Sequence, residues 1–366
     1  MKGFGEDPKS NLKSNKSKLN SQEQIVNHAI QLHVRGNIPE ATKYYQNCIK
    51  QGIKNCRVFS NYGTILNNLG KLKDAELSFR KAIEINPNYA NAHYNLGDLL
   101  FHLRRLKDAE FHTRKAIEIN PNYAIAHFNL GNILKDLGKL KDAEFSFRKA
   151  IKLNPSFTDV YYNLGNLFFD LNKLKDAELS YRKAIQLNPN FTAAHYNLGR
   201  ISIDLGKLKN AELSYRKAIE LNPNFAICHA NLGDLMRDLG KLKDSEFHTR
   251  KAIEINPNYA IAQSNLGGLL RDLGKSKDGE FHTRKAIEIN PNYAIAHFNL
   301  GNILSDLGKL KDAELSFRKA ISLKPDFADA HLNLSLIELA EGNYQNGLEN
   351  YEYRFKTKKP TIPHGQ

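Results

Sequence analysis

The sequence predicts an all-α solenoid of about ten helix-turn-helix units. Two observations carry that reading. The stretch FHTRKAIEINPNYAIAHFNLGNIL at Phe111–Leu134 recurs unchanged at Phe281–Leu304, 170 residues on. Pro87, Pro121, Pro155, Pro189, Pro223, Pro257, Pro291 and Pro325 stand 34 residues apart, and 170 is five such steps. Each unit of a strict short period packs only on its neighbours, so length measures the extent of an array and not a number of globular domains. Eight units of 34 residues run from Cys56 to Phe327.

Ala90–Tyr123 serves as the specimen, with Ala90 as place 1. Ala92, Leu96, Leu99, Leu100 and Leu103 recur at three- and four-residue steps, one apolar face of a first helix. The segment RRLKD then turns, and Asp108 is expected to cap a second helix in which Ala109, Thr113, Ala116 and Ile117 repeat the helical step. Asn120-Pro121-Asn122 closes the unit, because proline lacks an N–H and keeps the preceding residue out of the helical region. Gly97, Ala109 and Ala116 leave room for the two helices to cross closely. Residues 21–55 follow the rhythm loosely and read as a degenerate N-terminal repeat, and residues 328–360 read as a degenerate C-terminal cap. The basic segment 1–20 is expected to be a disordered tail, with a second short tail at 361–366.

The formal charge of +14 arises mostly from KLKDAE and RKAIE repeats, where cations and anions interleave on helix surfaces. Phosphate recognition needs clustered cations, so a nucleic-acid partner is disfavoured. Three cysteines, Cys48, Cys56 and Cys228, lack metal-ligand spacing, which speaks against a disulfide framework or zinc site. No apolar run approaches the roughly 18 residues of a membrane span, and the N-terminus lacks a secretory apolar segment. A cytoplasmic protein is expected.

No catalytic constellation is legible, and a protein without enzymatic activity, metal or cofactor is expected. His93, His127, His195, His229, His297 and His331 all fall at place 4, but equivalent helices of adjacent repeats lie about 10 Å apart, whereas metal ligands lie about 2 Å from the ion. They are expected to be packed, hydrogen-bonded histidines, as are His112, His248 and His282 on the second helices. Gly138-Lys139 and Gly240-Lys241 are no phosphate loop: six residues separate Gly131 from Gly138, where four are needed, and NILKDL is helical. These glycines should end first helices.

Leu96, Gly97, Ala109, Ala116 and Pro121, at places refilled from Cys56 to Phe327, resemble the tetratricopeptide repeat. The resemblance implies a right-handed superhelix whose first helices line a concave groove that binds protein segments. Place 4, often a large aromatic in that family, is mostly histidine here. GNYQNGLENYEYRF resembles the last repeat of bacterial arrays that lead into a glycosyltransferase or sulfotransferase domain, with Gly347-Leu348 where Gly-Trp is common. The few residues from Pro360 onward leave no room for such a domain, so any transferase is expected in trans.

Asn61, Asn95, Asn129, Asn163, Asn197, Asn231, Asn265, Asn299 and Asn333 fill place 6 of nine successive units. At about 100° per residue, places 2, 6, 9 and 13 share one helix stripe. Place 9 adds Asp98, Asn132, Asn166, Arg200, Asp234 and Asn302. Place 13 adds Asp136, Asp170, Asp204, Asp238, Asp272 and Asp306. Beside the stripe, at place 5, stand Tyr94, Phe128, Tyr162, Tyr196 and Phe298. A carboxamide offers a donor and an acceptor, the complement of a peptide group, so the stripe is expected to hold an extended peptide with little regard to its side chains. The ladder resembles that in the repeat arm of O-linked N-acetylglucosamine transferases, which implies a substrate-recognition arm or glycosylation accessory as an alternative. The competing reading is that each Asn bonds to the adjacent repeat and belongs to the stacking. The place-13 aspartates favour a basic or hydroxyl-rich segment, partly offset by Lys135, Arg237 and Arg271 at place 12. An all-Asn place 6 argues against a carboxylate clamp, which needs cations there.

Overall fold

The computed structural model describes residues 22–356, so the proposed tails at 1–20 and 361–366 lie outside the described residues. All described secondary structure is helical. Two compact units divide the chain at Leu187. The first contains α1 (22–34), α2 (Ile38–Lys50), α3 (Cys56–Asn68), α4 (Leu72–Ile85), α5 (Ala90–His102), α6 (Leu106–Ile119), α7 (Ala124–Asp136), α8 (Leu140–Leu153), α9 (Thr158–Asp170) and α10 (Leu174–Leu187). The second contains α11 (Thr192–Asp204), α12 (Leu208–Leu221), α13 (Ala226–Asp238), α14 (Leu242–Ile255), α15 (Ala260–Asp272), α16 (Ser276–Ile289), α17 (Ala294–Asp306), α18 (Leu310–Leu323), α19 (Ala328–Ala340) and α20 (Tyr344–Tyr351), ending in a 3-10 turn. Odd-numbered helices are first helices and even-numbered ones second helices. Within each unit a second helix packs on its own first helix and on the next one, and first helices also touch each other, as α5 touches α7 and α13 touches α15.

The crossing within each pair depends on missing side-chain volume. A Cβ on Gly131 would sit 2.5 Å from the Phe147 ring, and one on Gly97 would sit 2.5 Å from Thr113 Oγ1. Ala109 and Ala116 are fully buried opposite. Small residues at places 8, 20 and 27 therefore set the close approach of the helices.

The turn after each first helix uses a left-handed residue at place 15. Gly138 has φ +73°; its own N–H donates to the Lys135 carbonyl and the Lys139 N–H to the Leu134 carbonyl, which satisfies carbonyls that a helix end leaves open. Arg104 (φ 60°) and Asn172 (φ 56°) hold the same conformation with a side chain. Such a conformation costs a non-glycine residue about 1–2 kcal/mol. Arg104→Gly is expected to raise stability by about 1 kcal/mol in urea unfolding, because the Arg104–Asp136 pair it removes is 76% exposed on the arginine side and such pairs contribute little.

The second helix starts earlier than the sequence suggests. Its N-cap is Arg105, without a side-chain cap bond, and Asp108 stands in the first helical turn, where it accepts from Arg105 at 2.9 Å. The helix begins directly after the left-handed residue, leaving no separate capping segment. Asp108 still faces the positive end of the helix dipole. At the far end, Asn120 is extended ahead of Pro121 and its Oδ1 accepts from the Asn122 N–H at 3.2 Å.

Neighbouring repeats are also joined by charge. Glu212 accepts from Arg216 on its own helix at 3.0 Å and from Lys241 of the next repeat at 2.9 Å. Lys241 first, and Arg216 with it, hold its carboxyl below the usual carboxylate range. Glu76, Glu110 and Glu280 repeat the arrangement. At the C-terminal end, Glu338 stands where all the regular first helices but α11, with Ser202, carry an apolar residue. It is 1% exposed and is matched by Arg318 at 2.7 Å and Asn350 at 2.8 Å.

Candidate peptide-binding surface

The place-6 asparagines are all buried or half-buried on the exposed side of the first-helix layer. The amide nitrogens of Asn61, Asn95, Asn129, Asn231, Asn299 and Asn333 reach the preceding repeat. Asn129 Nδ2 donates to Asp98 Oδ1 at 2.8 Å, and Asn333 Nδ2 donates to Asn302 Oδ1 at 2.6 Å. Asn95 donates to Ser60 and Thr64, Asn231 to the Tyr196 hydroxyl and Asn299 to Ser264. Asn61 donates to the Tyr45 hydroxyl at 3.2 Å. The acceptor sits at place 5 or place 9 of the preceding repeat wherever that repeat is one of the regular units. Stacking thus uses the donor half of these carboxamides. The acceptor half of Asn129 has no protein partner and stays in contact with solvent. Asn163 and Asn265 make no side-chain hydrogen bond among the described residues.

The remaining stripe residues are partly committed to packing. Asn129 and Asn302 are each 9% exposed. Tyr94 packs at a tilt against Tyr123, Phe128 against Phe147 and Phe157, Tyr162 against Tyr181, Tyr196 against Tyr215 and Phe225, and Phe298 against Phe317 and Phe327, with centroids 4.9–6.1 Å apart. These rings are half-buried. Asn166 accepts from the Tyr181 hydroxyl at 2.6 Å, and Asn132 is half-buried. Burial first and Asp98 second push the Tyr94 hydroxyl above its usual range.

Most place-13 aspartates are paired with a cation from the preceding repeat. Arg104 reaches Asp136 at 2.7 Å, Lys135 reaches Asp170 at 2.9 Å, and Arg237 and Arg271 reach Asp272 and Asp306 at 2.6 Å. The place-12 cations therefore neutralise specific carboxylates of the next repeat. Asp204 and Asp238 are exposed and make no ion pair among the described residues. Asp234 is also exposed, and its carboxyl is raised, by the protein crowded around it first and by Asp238 second. A recess of about 310 Å³ opens on the faces of α17 and α19, where Asn302, Asp306 and Asn333 meet Leu336 and Phe317. Leu336, at place 9 of the last repeat, is 55% exposed; it is a candidate contact that polarity along the stripe does not signal.

The histidines are part of the frame. His93, His127, His195, His229, His297 and His331 each donate through Nε2 to the carbonyl of the proline six residues earlier, at 2.9–3.2 Å. Where the second helix also carries histidine, two rings meet: His93 and His112 approach to 3.1 Å between Nδ1 atoms, and His229 and His248 to 3.0 Å. No group of three or more potential metal ligands occurs among the described residues.

A tetratricopeptide repeat family model matches residues 90–123, 124–157, 158–191, 192–225 and 294–327. Two further models of the repeat match residues 63–103 and 214–247, and the matches together cover more than half of the chain. Curated proteins yield no match. Among solved structures, a chain of an APC/C hetero-tetramer is similar with a TM-score of 0.55 at 13% identity, over 94% of this chain and 82% of that one. The pilF protein of Pseudomonas aeruginosa gives 0.52 at 19% identity, over 59% and 97% of the two chains. Both are likenesses of fold. YrrB, described as a TPR protein with an unusual peptide-binding site, is 27% identical over 50% of this chain and 95% of its own, with a TM-score of 0.45.

Proposed function

The chain belongs to the tetratricopeptide repeat family, whose arrays are protein-interaction scaffolds, and on that premise we propose that it holds an extended peptide segment along the first-helix stripe without catalysing a reaction. The carrying observation is the place-6 ladder, in which six rungs tie their nitrogens to the preceding repeat and keep their oxygens for a partner, while Asn163 and Asn265 keep both halves. Packed helices repeat at about 10 Å, and three residues of polyproline-II chain advance about 9 Å. A segment in that conformation offers a backbone N–H on one side to each successive rung. Its side chains would meet the ring edges at place 5 and the unpaired Asp204, Asp234 and Asp238, which favour basic or hydroxyl-rich sequences.

The unbonded rungs make the cleanest test. Asn163→Ala and Asn265→Ala each remove a half-buried carboxamide that makes no hydrogen bond to a neighbouring repeat among the described residues. Each is expected to leave the melting temperature unchanged while weakening capture of unstructured peptides on an array by about three- to tenfold, the worth of one hydrogen bond. Unchanged capture with the fold intact would sink the reading. A narrower form, delivery of the segment to an O-glycosyltransferase acting in trans, rests on the ladder's resemblance to such arms and predicts co-purification with that enzyme.

A further inference from the structure

The second helices carry a feature that peptide capture along the first helices does not use. In the first unit Leu77, Phe111, Phe145 and Leu179, all at place 22, are 63–72% exposed. In the second unit Leu213, Phe247, Phe281 and Leu315 hold the same place at 63–66% exposure. Place 22 lies opposite the buried places 20, 24 and 27 of the same helix. One large apolar residue exposed at the same place of every regular repeat is a regular row, unlike the singly scattered surface apolars that need no explanation.

The flanking charge identifies the kind of partner. One turn before each apolar residue stands a lysine at place 18, such as Lys107, Lys141 or Lys243, and all eight are exposed with no ion pair among the described residues. One turn after stands another lysine at place 26, which in four repeats pairs with the place-29 glutamate of its own helix, as Lys115 does with Glu118 at 2.8 Å. On α8, where the usual place-29 glutamate is Lys152, Lys141, Phe145, Lys149 and Lys152 share the face with one exposed carboxylate, Asp142, which leaves it an excess of cations. Beside it a cleft of about 400 Å³ between α8 and α10 has Ile151, Leu164 and Phe168 in its wall and Arg148, Lys152 and Lys183 among its lining residues.

We propose that this second-helix face docks on an anionic phospholipid surface, with the place-22 side chains entering the boundary of the acyl region and the lysines meeting the headgroups. Basic helices bearing Leu or Phe between lysines bind membrane interfaces by that division of labour. A second copy would bring the same lysine rows and be repelled. A nucleic acid would use the lysines but give a leucine nothing to stack on. Leucine and phenylalanine alternate freely at place 22 with even exposure, as suits a fluid partner without a fixed shape better than a folded acidic one. The first-helix stripe stays open when the opposite face is occupied.

Vesicle flotation of the full chain tests this, using phosphatidylcholine alone and phosphatidylcholine with one lipid in three replaced by phosphatidylserine. The native chain is expected to float only with the anionic vesicles. Two variants, one combining Phe111→Ser, Phe145→Ser and Leu179→Ser and the other Lys141→Gln, Lys149→Gln and Lys152→Gln, are each expected to lose about tenfold in bound fraction at unchanged helicity. Failure of the native chain to float overturns the proposal. So does flotation of the serine variant at the native level, which reduces binding to unspecific charge attraction. Self-association that the serine variant abolishes, or failure to float combined with row-dependent capture of an acidic protein, reassigns the face to a second copy or to a protein partner.

Discussion

Gly131→Ala is expected to lower stability by about 1–3 kcal/mol, the usual cost of forcing volume into a packed crossing. The added Cβ would lie 2.5 Å from two carbons of the Phe147 ring, and Phe147 is fully buried, so the ring cannot swing into solvent. Either α7 and α8 separate or the ring leaves its rotamer. Alanine's better helix propensity, worth about 1 kcal/mol in an exposed helix, offsets part of the loss. Because stability in such an array is a sum over repeats and their interfaces, the lesion should also loosen the neighbouring pairs and broaden the urea transition. Circular dichroism during urea unfolding checks both effects; an unchanged midpoint and slope would show that the crossing has slack.

The second large effect concerns pH. His248 is 7% exposed, and its pKa is held down to about 4, first by burial and then by His229 and Arg216, with Asp244 and Glu212 opposing. His229 Nε2 donates to Pro223 O, so its Nδ1 accepts from His248 Nδ1–H. A proton on His229 Nδ1 would set two donors face to face. The folded pKa lies below the unfolded one of about 6.5, so the neutral ring's contribution is fully present above pH 6.5 and drains away as pH falls toward 4. The loss is on the order of 3 kcal/mol across that window. Other repeats carry serine at this place, as at Ser214, which makes His248→Ser a compatible replacement. The native chain should lose stability relative to this variant between pH 6.5 and pH 4; parallel stability curves for the two would refute the assignment. His112, also held at about 4, should behave alike against His93.

Periodicity made the helices, the left-handed turn, the proline stop and the small residues at the crossing legible, because each repeats at a fixed place and has a local cause. The histidines were legible for the same reason, although their carbonyl partner was not. What the period hides is the offset between one repeat and the next. That Asn129 lies opposite Asp98 follows from how helices stack, and a single unit's text does not encode it. The Asp108 cap was misplaced by a few residues because the helix needs no capping side chain after Arg104. The place-22 row left a readable signal: a large apolar residue on the face away from Ala109 and Ala116. Core periodicity alone does not separate such a residue from a buried one.

The bond from Asn129 back to Asp98 has a genetic consequence. If recombination between the two identical segments removed residues 111–280, Asn299 would arrive opposite Asp98 with the same chemistry, and Lys309 would find Glu110 where Lys139 had been. Five whole repeats could be lost or gained with the affected junctions chemically intact. Array length is therefore a quantity that such a gene can change in one step, and shorter or longer alleles should fold as readily as this one.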